Sequence, residues 1–132
     1  MEITVSHELG RLPVSVLHVK GDIDMATAEQ IQAQARRAYD EGARNMLLDL
    51  SHVPYMSSAG VRAIHEIFTM LRGASPAESD EAIRKGLADG SYKSPHLKLL
   101  SPSNRVLEVL KMTGLDMFLE IHRNLKDAVA SF

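Results

Sequence analysis

Apolar positions along this chain change their spacing several times, and each change marks an element. Ile3-Thr4-Val5 and Val14-Ser15-Val16-Leu17-His18-Val19 alternate locally and are rich in β-branched residues, with Gly10 between them. They predict two strands joined by a turn, the second ending at Gly21-Asp22-Ile23-Asp24. Ala28, Ile31, Ala35 and Ala38 then recur at steps of three and four, one face of a helix. Asp24 or Thr27 can cap that helix, Thr27 standing at capping-box distance from Gln30, and Gly42 closes it.

Asn45-Met46-Leu47-Leu48-Asp49-Leu50 is a short apolar run, the pattern of a central strand covered on both faces. Residues 51–56 form a loop, because Pro54 has no N–H for a ladder. A second helix starts at about Ser58 with Val61, Ile64, Phe68 and Leu71 on one face. His96-Leu97-Lys98-Leu99-Leu100 predicts a fourth strand. Ser101-Pro102 opens a third helix with Pro at its first position, Leu107 and Leu110 on its buried face and Gly114 at its end. Phe118-Leu119-Glu120-Ile121 reads as a last short strand, and Leu125, Ala128 and Val129 as a closing helix. Strands alternating with helices imply an α/β fold: a mostly parallel, mixed sheet of four to five strands with four or five helices. Residues 73–95, between the second helix and the fourth strand, break this rhythm. Turn-like Gly73-Ala74-Ser75-Pro76 and Ser91-Tyr92-Lys93-Ser94-Pro95 flank a charged stretch, which reads as an insertion carrying a short exposed helix.

Composition narrows what such a domain does. At 132 residues the chain suits one domain, and 45% hydrophobic with 24% charged residues is a globular balance. The absence of cysteine removes disulfide scaffolds, thiol catalysis and thiolate-bound zinc. A net charge of -2 offers no broad cationic surface for nucleic acid or an anionic membrane. No apolar run approaches the roughly 20 residues that cross a bilayer, and Met1-Glu2-Ile3-Thr4-Val5 lacks a signal-peptide pattern. The cytoplasm is the expected location.

The segment from Leu48 to Ile64 carries the most specific text. It reads as a strand, a loop and a helix opened by two serines, Ser57 and Ser58. Helix starts leave N–H groups unpaired and carry partial positive charge. A serine there either caps the helix with its hydroxyl or accepts a phosphate that the same groups stabilise. This segment resembles the signature of the STAS family, the anti-sigma-factor antagonists of bacteria, in which a strand and loop lead into Asp-Ser-Ser-Gly or Asp-Ser-Thr-Gly. Gly21-Asp22-Ile23-Asp24 resembles the family's Gly-x-Leu-Asp element, and Met112-Thr113-Gly114-Leu115 its late Gly-Leu turn. The family's Asp is Ser57 here and its second hydroxyl residue is Ala59, as in the Met-Ser-Ser-Ala-Gly variant of the signature.

The resemblance implies a single STAS domain over residues 1–132, anchored on Gly60 so that Ser58 is the phosphorylated serine. It implies an anti-sigma-factor antagonist whose unmodified form binds an anti-sigma factor serine kinase and releases the sigma factor. Phosphate on Ser58 switches binding off, and a PP2C-type phosphatase restores it. The expected docking residues are Asp22, Asp24, Tyr55, Met56, Ser57, Ser58 and Arg62, on a monomer or weak dimer. The alternative is a STAS scaffold or sensor module without a phosphate cycle. Catalysis is not expected. Asp22 and Asp24 fit general acid–base work or a cation site, but equally turn formation and helix capping. Six histidines show no His-x-His or i, i+4 pair for a metal. A serine hydrolase needs Gly-x-Ser-x-Gly, and Tyr55 or Met56 stands where the first glycine belongs. No phosphate-binding glycine loop is present, so no cofactor is expected.

Overall fold

The computed structural model describes residues 2–73 and 93–132. The chain runs β1 (Glu2–Leu9), β2 (Pro13–Lys20), α1 (Met25–Asp40), β3 (Met46–His52), α2 (Ser58–Gly73), β4 (Leu97–Leu100), α3 (Asn104–Thr113), a 3-10 turn (Leu115–Met117), β5 (Ile121–His122) and α4 (Leu125–Ala130). The five strands form one sheet in chain order. β1 and β2 are antiparallel, and every later pair is parallel. The mixed, mostly parallel sheet anticipated from the alternation of periods is therefore the one observed.

Strand parity divides the core. Leu17, Val19, Met46, Leu48, Leu50, Leu97 and Leu99 face α1, α2 and α3, where Ile31, Ala35, Ile64, Ile67, Leu71, Val106 and Leu110 meet them. Val14, Val16, Leu47 and Leu100 face the other way, beneath Ala128 and Val129 of α4. The continuous apolar run of β3 is thus explained: Met46 to Leu50 are all buried, because both faces are covered. Buried Lys98 pins the end of the chain, its ammonium 3.1 Å from Glu120 and donating to the carbonyl and hydroxyl of Ser131 at 2.9 and 3.0 Å.

Some local expectations fail. The third helix does not open at Pro102. Ser103 caps it instead, its hydroxyl accepting from the Val106 N–H at 3.2 Å, so Pro102 lies outside and is buried. Its buried face is Val106 and Leu110, with Leu107 half-buried. The last strand is only Ile121–His122, because Leu115–Met117 coils into a 3-10 turn that places Phe118 before the sheet. Most of the expected insertion at 73–95 lies outside the described residues.

Candidate functional site

Two loops at the carboxyl ends of β2 and β3 form the candidate site, and Ile23 stitches them together. Its N–H donates to the Tyr55 carbonyl at 2.9 Å, and its own carbonyl accepts from the Ser57 N–H at 2.9 Å. Ile23 and Met56 pair as an isolated parallel bridge. This extends the β2–β3 register one step beyond the strands and fixes the starts of α1 and α2 beside each other. Both bridge side chains are buried at 1% exposure.

Gly60, in the first turn of α2, closes over that bridge. A Cβ there would lie 2.5 Å from Met56 Cγ and 2.8 Å from Ile23 Cγ2, distances that real Cβ atoms essentially never show. The signature glycine is thus required for space, which lets the helix start approach the two loops.

Asp24 caps α1. Its carboxylate accepts from the Thr27 N–H at 3.0 Å, while the Thr27 hydroxyl is 2.7 Å from the Asp24 N–H, a reciprocal capping box. The expected box between Thr27 and Gln30 does not form, because α1 begins at Met25. Hydrogen bonds from the Thr27 backbone and hydroxyl hold the Asp24 carboxyl below its usual range. Asp22 is exposed beside it, its carbonyl accepting from the Thr27 hydroxyl at 3.0 Å. The carboxylate pair therefore serves a helix start on one side and solvent on the other.

At α2 the two serines take different roles. Ser57 is the residue before the helix, and its carbonyl accepts from Gly60 at 3.0 Å and Val61 at 3.3 Å. Its hydroxyl oxygen is buried without a hydrogen-bond partner among the described residues. Ser58 is the first helical residue and is exposed. Among the described residues no acceptor is seen for the N–H groups of Ser58 and Ala59, as expected for the first turn of a helix. Arg62, one turn on, is exposed on the same helix side.

The structure corrects one member of the expected docking set. Met56 is core, locked under Gly60, and presents no surface to a partner. Asp22, Asp24, Tyr55, Ser58 and Arg62 are exposed, and Ser57 is half-buried. Two exposed residues escaped the sequence reading. Met25, at the start of α1, is 69% exposed, and Arg105 of α3 lies with its guanidinium 5.8 Å from the ring centre of Tyr55. Met25 follows the motif as an ordinary helix residue, and Arg105 reaches Tyr55 only through packing of α3 beside the β3–α2 loop. No sequence signal marks either.

A second polar cluster lies on the sheet face left open beside α4. The His18 Nδ1–H donates to Asp49 at 2.7 Å, leaving Nε2 to accept from the Ser6 hydroxyl at 2.9 Å in the neutral ring. Asp49 also accepts from the Ser51 N–H at 3.0 Å and hydroxyl at 2.7 Å. Burial pushes the Asp49 carboxyl up, but the bonds from Ser51 and His18 outweigh it and leave it below its usual value. Among the described residues, no group of three or more His, Asp or Glu residues is placed to hold a metal ion. A hollow of about 790 Å³ between α1 and α2 is lined by none of residues 22–25 or 55–62. The candidate site is a corner of two loops and two helix starts, with Asp22, Asp24, Tyr55, Ser58 and Arg62 exposed on it.

A five-stranded mixed sheet with a serine at the start of α2 defines a class. The STAS domain family model matches residues 7–75, over half of the chain, and the chain belongs to that family. BtrV of Bordetella bronchiseptica, assigned as an anti-sigma factor antagonist, is 37% identical over 54 residues, 41% of this chain and 47% of that protein. The match thus spans about half the length of that relative. Among solved structures, an anti-sigma factor antagonist from Mycobacterium paratuberculosis aligns with a TM-score of 0.68 and 21% identity, covering 98% of this chain and 93% of that one. Unphosphorylated SpoIIAA, also an anti-sigma factor antagonist, aligns at 0.67 and 19%, covering 96% and 93%. The phosphorylated form of SpoIIAA from Bacillus aligns at 0.60 and 20%, covering 96% of each chain. At these identities the structural matches establish the fold. Among the described residues no helix is long and apolar enough to cross a membrane.

Proposed function

We propose that this chain is an anti-sigma-factor antagonist whose unmodified corner docks on an anti-sigma factor kinase, and that phosphorylation of Ser58 by that kinase ends the interaction. The observation that carries the reading is the position of Ser58. It is exposed in the first turn of a 16-residue helix, on a corner braced by buried Ile23 and Met56. Among the described residues its side chain makes no hydrogen bond that modification would break. The free amides of the first turn and the side chain of Arg62 stand ready for the added oxygens.

The docking surface runs from Asp22 and Met25 through Tyr55 to Ser58 and Arg62. A phosphate adds about -1.5 to -2 charges to it. If the kinase surface accommodates a neutral serine there, a loss of even 3 kcal/mol weakens binding over 100-fold, since each 1.4 kcal/mol is tenfold. The switch needs no rearrangement of the core, and a PP2C-type phosphatase resets it by removing the phosphate.

The test is a titration of the purified anti-sigma factor kinase with wild type, Ser58→Ala and Ser58→Asp. Wild type and Ser58→Ala should bind alike, and Ser58→Asp at least tenfold more weakly with an unchanged fold. Equal binding by all three removes the charge switch and favours a scaffold module.

A further inference from the structure

We propose that the free edge of β1 is a pairing edge completed by a second copy of this chain. β1 is the first strand of the sheet, and no described strand lies beyond it. It is eight residues long and exposed along most of its length. Edge strands usually carry a lysine, a proline or a bulge that discourages pairing, and Glu2–Leu9 has no lysine, no proline and an unbroken register with β2.

The hydrogen-bond phase of this edge follows from the rest of the sheet. The Ser15 N–H donates to Asn45 at the start of β3, so odd positions of β2 direct their backbone groups to β3 and even positions direct theirs to β1. The β1–β2 register sets Thr4 against His18, Ser6 against Val16 and Glu8 against Val14. Even positions of β1 are therefore spent on β2, and Ile3, Val5, His7 and Leu9 aim their N–H and C=O groups at the open edge. Their side chains share the helix-side face, where Ile3 packs against the main core.

Two copies related by a two-fold axis normal to the sheet pair odd positions with odd positions. Two registers align most of the strand. Centring on Val5 sets Glu2 against Glu8 of the second copy, a like-charge pair at each end. Centring on Ser6 sets Ile3 against Leu9, Val5 against His7 and Thr4 against Glu8, with no like charges opposed. It also forms four hydrogen-bonded pairs instead of three. In this register Leu9, 80% exposed in the single chain, meets Ile3 of the second copy, and Val5, 37% exposed, lies opposite His7 and diagonal to Leu9. The Ser6-centred register is the self-complementary one. Because the pairing is antiparallel, the two Ser58 corners point in opposite directions and both stay open, so the dimer stands independently of the reading of Ser58.

The chain has no cysteine, which makes the register directly measurable. Sedimentation velocity of the wild type should show its mass doubling as concentration rises into the hundreds of micromolar. Val5→Pro leaves the β1–β2 ladder intact, since the Val5 N–H faces the open edge, and should weaken dimerisation at least tenfold. Val5→Lys should do the same and covers the case in which the proline variant does not fold. Under mild oxidation Ser6→Cys should form a covalent dimer and Val5→Cys should not. The proposal is overturned by a wild type that stays monomeric with no Ser6→Cys cross-link, by a dimer indifferent to Val5→Lys, or by cross-linking through Val5→Cys instead.

Discussion

Replacing Gly60 by alanine separates two accounts of the signature glycine. Helix propensity alone favours the change by up to about 1 kcal/mol, because glycine is a poor helix former. The position carries no left-handed backbone requirement, so nothing conformational opposes it. Sterics point the other way. The added methyl would sit 2.5 Å from Met56 Cγ and 2.8 Å from Ile23 Cγ2. Neither atom is the loose end of a flexible side chain, and both residues are buried at 1% in the bridge between the two loops. Overpacking of this kind costs about 1–3 kcal/mol. Set against the propensity gain, Gly60→Ala should still destabilise, by up to about 2 kcal/mol. Urea unfolding followed by circular dichroism reads this as a lower midpoint at constant slope, and Gly60→Ser, one atom larger, should lower it further. A midpoint unchanged or raised by Gly60→Ala would refute the space argument and the close approach of α2 on which it rests.

Other expectations follow from the same corner and from the open sheet face. Ser57→Ala should change stability by less than about 0.5 kcal/mol, below the roughly 1 kcal/mol of a working N-cap, because its hydroxyl has no partner to lose; the same denaturation series checks it. Ser58→Ala should be equally mild, being exposed and uncapping nothing. Asp49 has a folded-state pKa below its unfolded value, so its stabilising contribution is complete above about pH 4 and disappears as the pH falls through the folded value. Urea midpoints between pH 6 and 3 should therefore decline on acidification, and Asp49→Asn should start lower and decline less steeply. A variant as acid-sensitive as the wild type would show that this hydrogen-bonded carboxylate is not a source of the slope.

Much of the architecture was legible because its signals are periodic and local. The buried face of α1, Ala28, Ile31, Ala35 and Ala38, is the face its spacing describes. The all-apolar run of β3 correctly implied a strand covered on both sides. Misreadings arose where tertiary contacts choose between equal local options. Pro102 was an acceptable helix start, but the Ser103 hydroxyl is the group that reaches the free amide of Val106. Met56 lies in the loop beside the signature serines, and only the pairing of Ile23 with Met56 shows that it points inward. The cluster of Ser6, His18 and Asp49 is spread over three strands, and no spacing along the chain encodes it. Ser58 is singled out by motif and Gly60 by anchoring; the structure supplies a spatial reason for the glycine.

The most direct test of the central claim is chemical. Incubation of the unmodified protein with its cognate kinase and ATP, followed by peptide mass spectrometry, should place one phosphate on Ser58, with none on Ser57, whose hydroxyl is buried. The modified protein should no longer co-elute with the kinase. A phosphate on Ser57 alone, or no phosphate under conditions where the kinase is active, would contradict the account.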